Sequence, residues 1–366
     1  MKSTTLKAIA VAAILAVTTG WNPARPSAAP AVETGLAPAS IGVLAFAPDG
    51  VLFAADPDAA TVYALDLGDQ SAGGKAGAAD VAAIDQKMAA LLGTESGAVL
   101  VRDLAIHPKT KNAYISVMRG TGAEAKPALL RVDGDGKIAA IALDRVKYTK
   151  VTLPNPPAAA PGNRNPRADT ITDMAFTNGR LVISGLSNEE FSSKLRSVAY
   201  PFTSAEPGTS VEIFHGNHGR LETRSPVYTF MPYSIGGKPF IIASYTCTPL
   251  VRFPIDSLTG TSKVVGTTIA ELGAGNRPLD MVLYSKGGRE FLLMSNNSRG
   301  VMKIPTAAFG TAPGITEKVQ SETGGIAYEK ITSMQGIEQL DLLDAERSIV
   351  LARTPAGLNL SAVALP

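Results

Sequence analysis

The chain repeats one short pattern: an apolar strand, a polar turn, a second apolar strand, a variable loop and a third strand. The two clearest copies, Ser225 to Pro254 and Pro278 to Pro305, match in the position of the turn and of the closing proline. Four more segments fit the same template: Ile41 to Leu67, Val101 to Val132, Thr172 to Phe202 and Ile337 to Leu365. Repeats of this length are typical of propeller blades. The sequence therefore predicts an all-β, six-bladed β-propeller.

One stretch breaks the β pattern. Within Asp80 to Gly93, apolar residues recur at helical spacing behind an aspartate cap, namely Val81, Ile84, Met88, Leu91 and Leu92. We expect one helix inserted between the first two blades. The sixth repeat ends after its third strand, at Pro366. Residues preceding Ile41, about Ala31 to Ser40, are therefore expected to supply the missing edge strand and close the ring.

The N-terminus has the layout of a secretory signal peptide. Lys2 and Lys7 precede the apolar run Ala8 to Val17, which is too short to span a bilayer. Small residues follow, with an A-x-A site that ends at Ala31. We expect residues 1–31 to be the signal peptide, cleaved between 20 and 31, and residues 32–366 to form a single propeller domain. The protein would then be exported to a periplasm or the medium, without a membrane span.

Composition narrows the classes of partner. The formal net charge of +2 argues against a nucleic-acid partner, and 45% hydrophobic residues are enough for a large core. The single cysteine, Cys247, excludes an intramolecular disulfide. We expect a monomer that binds a small molecule or a metal ion, with a protein partner as an alternative.

Two of the three histidines, His215 and His218, lie in one glycine-flanked crossover (FHGNHG), and Cys247 lies in a loop of the blade that follows. Two imidazoles and a thiolate suit copper or zinc, and the neighbouring Met231 would add a thioether. The sequence predicts that His215, His218 and Cys247 bind a divalent or copper ion. The alternatives are histidines that bind substrate or act in catalysis, and histidines that only support the fold. His107 is expected to be a turn residue on the opposite face.

Aspartates recur in one register next to the innermost strands, at Asp103, Asp173 and Asp280, with Asp341 close to it. Such a ring would hold a cation, take part in acid/base chemistry, or accept backbone N–H groups that tie adjacent blades together. Arginines interleaved with the ring would bind carboxylate or phosphate. The predicted ligand-binding set at the channel face is Arg102, Asp103, Asp173, Arg224, Arg277, Asp280 and Asn296.

Two of the repeats, AFAPDGVLFAADPDAATVYALDL and LAIHPKTKNAYISV, resemble those of six-bladed propellers of the gluconolactonase, NHL and TolB-like group. The resemblance covers most of the chain after residue 31 and implies the fold. The lactonase branch holds a divalent metal on a Glu, two Asn and an Asp around the channel. This chain has no early-blade Glu in register and lacks the motif around its aspartates, so the resemblance does not extend to lactonase activity.

Three functions follow as hypotheses. The first is an exported propeller that binds a metal ion or a small anionic ligand at its channel face. The second is a metal-dependent hydrolase, lactonase or lyase that uses the same face. The third is a scaffold for a protein partner. The chain has no G-x-S-x-G motif, so the sequence leaves open whether it is an enzyme.

Overall fold

The computed structural model describes residues 31–68, 74–160, 165–260 and 263–366. Six β-sheets stand around a central channel as the blades of a propeller, which confirms the predicted fold. The predicted signal peptide, apart from its last residue, lies outside the described residues. Within the described ranges, no helix has the length and apolar character needed to cross a membrane.

The blades are numbered by the chain order of their innermost strands, and strands are given from the channel outward. Blade 1 contains Leu44–Phe46, Leu52–Asp56, Thr61–Asp66, Lys147–Thr152 and Glu33–Thr34. Blade 2 contains Val99–Ile106, Ala113–Arg119, Lys126–Val132 and Ile138–Ala140. Blade 3 contains Asp173–Thr177, Arg180–Leu186, Ser193–Ala199, Thr209–His215 and Arg220–Glu222, and Val264–Val265 pairs with its fourth strand.

Blades 4 to 6 follow in the same manner. Blade 4 contains Thr229–Ile235, Lys238–Ser244, Pro249–Pro254, Thr267–Glu271 and Gly324–Gly325. Blade 5 contains Pro278–Lys286, Arg289–Asn296, Val301–Pro305 and Glu329–Ile331. Blade 6 has three strands, Ile337–Leu342, Arg347–Thr354 and Gly357–Ala364. Short 3₁₀ turns lie at Ser96–Ala98, Gly122–Glu124, Leu143–Arg145, Pro166–Asp169, Ile255–Ser257 and Thr306–Ala308.

The repeated hairpins form where the turn residues allow them. In blade 3, Asn178 and Gly179 both have positive φ, and the strands on either side pair from Thr177 and Arg180 onward. Two-residue turns of this hand match the twist of paired strands and favour Asn-Gly and Gly-Gly. Blades 4 and 5 use Gly-Gly at the corresponding place. The turns therefore set the register of each blade locally.

The blades are not arranged in chain order. Their inner strands contact one another in the circular order 2, 1, 3, 4, 5, 6 and back to 2. After the third strand of blade 1, the chain forms all four strands of blade 2. The chain then returns as Lys147–Thr152 to add the fourth strand of blade 1. Six apolar clusters occupy the six spaces between adjacent blades in this same order.

Closure of the ring differs from the prediction. Glu33–Thr34 pairs with the outer strand of blade 1, so the N-terminal segment does not complete blade 6. Blade 6 is instead flanked by a bridge from Val81 to Leu360 and by the helix Ile84–Leu92. The helix buries Ile84 and Met88 in the cluster shared by blades 2 and 6. It therefore lies where blades 2 and 6 meet.

The helix also begins later than predicted. Asp80 does not cap it, because its carboxylate accepts the N–H of Ala362 at 2.7 Å. The residue before the helix is Ala83, in the left-handed conformation, with no side-chain cap. Gly93 ends the helix in the left-handed conformation, as its position in the sequence predicts.

Candidate metal centre and channel mouth

A tight turn brings the two crossover histidines together. His215 ends the fourth strand of blade 3, and its carbonyl accepts the N–H groups of His218 and Gly219. A side chain at Gly216 would come within 3.1 Å of Val319, Ile315 and Glu271 atoms, so only glycine fits there. The turn consequently brings the two imidazoles into contact, with their ring centroids 3.9 Å apart and their planes at 39° to each other.

Cys247 reaches the histidines from a strained turn. The turn joins the second and third strands of blade 4, and both Cys247 and Thr248 have positive φ, at 63° and 52°. Such a backbone is an outlier for a β-branched residue and costs of order 1–3 kcal/mol. The next crossover holds it, because Asn276 O accepts the N–H of Cys247 at 2.6 Å and Gly273 O accepts the Thr248 hydroxyl at 3.0 Å.

These elements place three metal-ligating side chains together. One ligand atom from each of His215, His218 and Cys247 lies within 4.8 Å of the other two. His215 is buried, Cys247 is half-buried and His218 is 41% exposed. The three residues singled out from the sequence therefore form one cluster, open to solvent through His218.

Glu222 orients both imidazoles. Its two carboxylate oxygens lie 3.0 Å from Nδ1 of His215 and 2.6 Å from Nδ1 of His218. Burial raises the pKa of Glu222, but the hydrogen bonds from the two histidines outweigh burial and hold the pKa at about 2. A carboxylate on one ring nitrogen fixes the tautomer and leaves the other nitrogen free to bind a metal.

The free nitrogen of His215 has no hydrogen-bond partner. Its Nε2 is buried, and the nearest acid, Glu271, lies 3.8 Å away at Oε2. Glu271 is itself occupied, since it accepts the N–H of Gly216 at 2.5 Å and the amide of Asn217 at 3.1 Å. Burial raises the pKa of Glu271 to about 7 and lowers that of His215. An unpaired buried nitrogen is costly unless something binds it.

The cluster opens into a cavity of about 470 Å³. Arg220 and the exposed Arg224 line it, so Arg224 lies at the histidine cluster and not at the channel. Met231 is not a ligand candidate, because it lines the opposite end of the channel. His107 lies in a turn where its Nδ1 accepts the N–H groups of Lys109 and Thr110.

A second cavity, of about 210 Å³, lies on the propeller axis and is lined by all six blades. We call it the channel mouth. It contains five residues of the predicted ligand-binding set, Arg102, Asp103, Asp173, Arg277 and Asp280. Asp58, Asp169 and Tyr228 also line it and were not singled out from the sequence. A cavity of about 420 Å³, lined by apolar side chains and by the aspartates of the ring, lies at the other end of the channel.

The aspartates of the ring tie neighbouring blades together. Asp103 accepts the N–H of Leu44 in blade 1 at 2.6 Å, and Asp341 accepts that of Ile106 in blade 2 at 2.7 Å. Asp173 and Asp280 make the same kind of bond to blades 4 and 6, at 2.8 and 2.9 Å. This is the blade-tying role among the three considered for the ring. Asp103, Asp173 and Asp280 remain half-buried at the base of the channel mouth.

Asn296 does not line the channel mouth. Its amide group donates to Met294 O and Gly300 O and its oxygen accepts from Asn276 at 2.9 Å. These bonds shape the turn of blade 5, and its predicted role in ligand binding stays a prediction. Glu222 and Glu271 were missed because glutamates are common in the sequence and nothing in their spacing marks them.

No protein-family model and no curated protein sequence matches the chain. Among solved structures, the PQQ-bound aldose sugar dehydrogenase from Streptomyces coelicolor is similar, with 12% identity, a TM-score of 0.34, and coverage of 92% of this chain and 99% of its own. Hydrazine synthase from Kuenenia stuttgartiensis is similar with 10% identity, a TM-score of 0.32, and coverage of 91% and 97%. Similarity at this level carries no argument about the chemistry of this chain.

Proposed function

We propose that this protein is an exported propeller that binds one copper or zinc ion through His215, His218 and Cys247. The observation that carries the proposal is the convergence of three donor atoms, one of them a buried nitrogen without a hydrogen-bond partner. Imidazole and thiolate form a donor set suited to both metals. The sequence layout of residues 1–31 supports export.

The surroundings support an ion site with an accessible position. Glu222 holds both rings, and the strained turn at Cys247 is fixed by the crossover that follows it. Three protein donors leave a fourth position for water or another ligand, and the cavity of about 470 Å³ provides the room. A metal-assisted hydrolase is therefore the second candidate, tested by turnover of lactones and esters.

The metal content of protein purified from its native compartment tests the proposal. We expect close to one copper or zinc ion per chain, and at least about a tenfold loss of affinity in the His215→Ala/His218→Ala variant. His107→Asn is the matched control, because the new Oδ1 takes the place of the imidazole Nδ1 that accepts two N–H groups. This control should keep its metal.

Spectroscopy then tests the thiolate. Reconstitution with Cu(II) or Co(II) should give a thiolate-to-metal charge-transfer absorption that Cys247→Ser abolishes while metal remains bound to the histidines. Two results together would overturn the proposal. The wild-type protein is purified without metal and binds neither copper nor zinc on titration, and the His215→Ala/His218→Ala variant is as stable as the wild type.

A further inference from the structure

The channel mouth presents unpaired groups of both charges. Arg102 and Arg277 line it, and neither makes an ion pair within 4 Å in the described part of the chain. Asp58 and Asp169 line the same cavity without forming an ion pair with either arginine. The charge of Asp58 nevertheless acts on the pKa of Arg102, and the charge of Arg277 acts on the pKa of Asp169. The cavity thus holds cations and carboxylates that do not neutralise one another directly.

Arg277 is held in place before any ligand arrives. Its guanidinium lies over the ring of Tyr228, with Cζ 5.2 Å from the ring centroid. Two hydrogen bonds with Asn297 fix its backbone. The N–H of Arg277 donates to the side-chain Oδ1 of Asn297 at 2.8 Å, and the carbonyl of Arg277 accepts the N–H of Asn297 at 3.0 Å. A planar cation fixed in this way is suited to binding a carboxylate.

The base of the cavity has the opposite character. Asp103, Asp173 and Asp280 present carboxyl groups there, each already fixed by backbone N–H bonds. Burial is the largest cause of the raised pKa of all three, and neighbouring carboxylates add to it for Asp103 and Asp280. A positively charged group at the base would relieve this repulsion. A free metal cation is disfavoured by the two arginines at the rim.

We propose that the channel mouth binds a small zwitterion, namely a free amino acid, with its carboxylate at Arg102 and Arg277 and its ammonium group at the aspartates. The volume of about 210 Å³ is below the roughly 300–1,000 Å³ of pockets for drug-sized ligands and admits only a small molecule. The site is separate from the histidine cluster and does not depend on a bound metal.

Calorimetric titration of the full-length protein with the twenty common amino acids tests the proposal. For the tightest binder, its carboxamide and its N-acetyl derivative remove one charge each, and each is expected to bind at least about tenfold more weakly. Arg277→Gln and Arg102→Gln should weaken binding of the parent amino acid by a similar factor. Arg145→Gln, at an exposed arginine that lines neither the channel mouth nor the metal cavity, is the matched control and should bind as the wild type does.

The His215→Ala/His218→Ala variant separates this proposal from the proposed metal site, because it should lose metal and still bind the amino acid. Any one of three results would overturn the proposal: that none of the twenty amino acids binds, that the singly charged derivatives bind as tightly as the parent, or that both arginine variants keep full affinity.

Discussion

The aspartates around the channel show how one residue type joins neighbouring blades. Asp341 accepts two backbone N–H groups, from Leu342 in its own strand and from Ile106 in blade 2, each at 2.7 Å. A carboxylate can accept both bonds at once, whereas an amide offers only one oxygen. The residue therefore fixes the position of one blade relative to the next.

Asp341→Asn should leave one buried N–H facing the new NH₂ group. We expect the free energy of unfolding to fall by about 1–3 kcal/mol, measured by urea denaturation. The control is Asp135→Asn, since Asp135 is 67% exposed and lies 3.9 Å from Lys75, where a change of under about 0.5 kcal/mol is expected. Equal effects of the two substitutions would rule out this role for Asp341.

The elements of the propeller could be predicted because each is specified locally. The Asn-Gly and Gly-Gly turns and the short apolar strands lie within single repeats, so the blades follow from the sequence alone. The order of the blades does not, because any repeat can pack beside any other through similar apolar faces. Two features of the described residues accompany the observed order: Lys147–Thr152 returns to blade 1, and Val81 bridges to blade 6.

The helix Ile84–Leu92 should stabilise the junction between blades 2 and 6. Met88 is fully buried there, so Met88→Ala is expected to lower the free energy of unfolding by about 2–5 kcal/mol. Leu91 lies on the same helix but is 47% exposed, and Leu91→Ala should change stability by less than about 0.5 kcal/mol. Urea denaturation of both variants measures the difference. A Met88→Ala protein as stable as the wild type would mean that the helix does not support closure.

At the scale of the whole molecule, both candidate sites lie on one face. Tyr228, which lines the channel mouth, lies close to Thr246, which lines the metal cavity. The histidine cluster could be predicted because histidine and cysteine are rare in this chain and lie in neighbouring loops of the repeat. Glu222 and Tyr228 could not, because their roles depend on how the crossovers fold over the blades.

The aspartates of the ring, together with Glu271, also set how stability depends on pH. The pKa is raised by burial to about 7 for Asp173 and for Glu271, and it is raised for Asp103 and Asp280 by burial and neighbouring carboxylates. Acids whose folded pKa exceeds the unfolded value bind protons more tightly in the native state. They therefore favour folding at low pH and lose that contribution as the pH rises through the folded pKa.

We accordingly expect the free energy of unfolding to fall as the pH rises from about 5 to 7, between the ordinary carboxyl pKa of about 4 and the folded value of about 7 for Asp173 and Glu271, by on the order of 1 kcal/mol per pH unit for each proton released. The lowered pKa values of His107 and His215 act in the opposite sense below the ordinary histidine value of 6.5 and offset part of this slope, which the larger number of shifted acids keeps negative. Urea denaturation at several pH values across this range measures the slope. Asp173→Asn should flatten the slope, because its amide does not titrate, while Asp135→Asn should keep it. A stability that stays constant or rises over this interval would show that these acids are ionised in the native state throughout the interval.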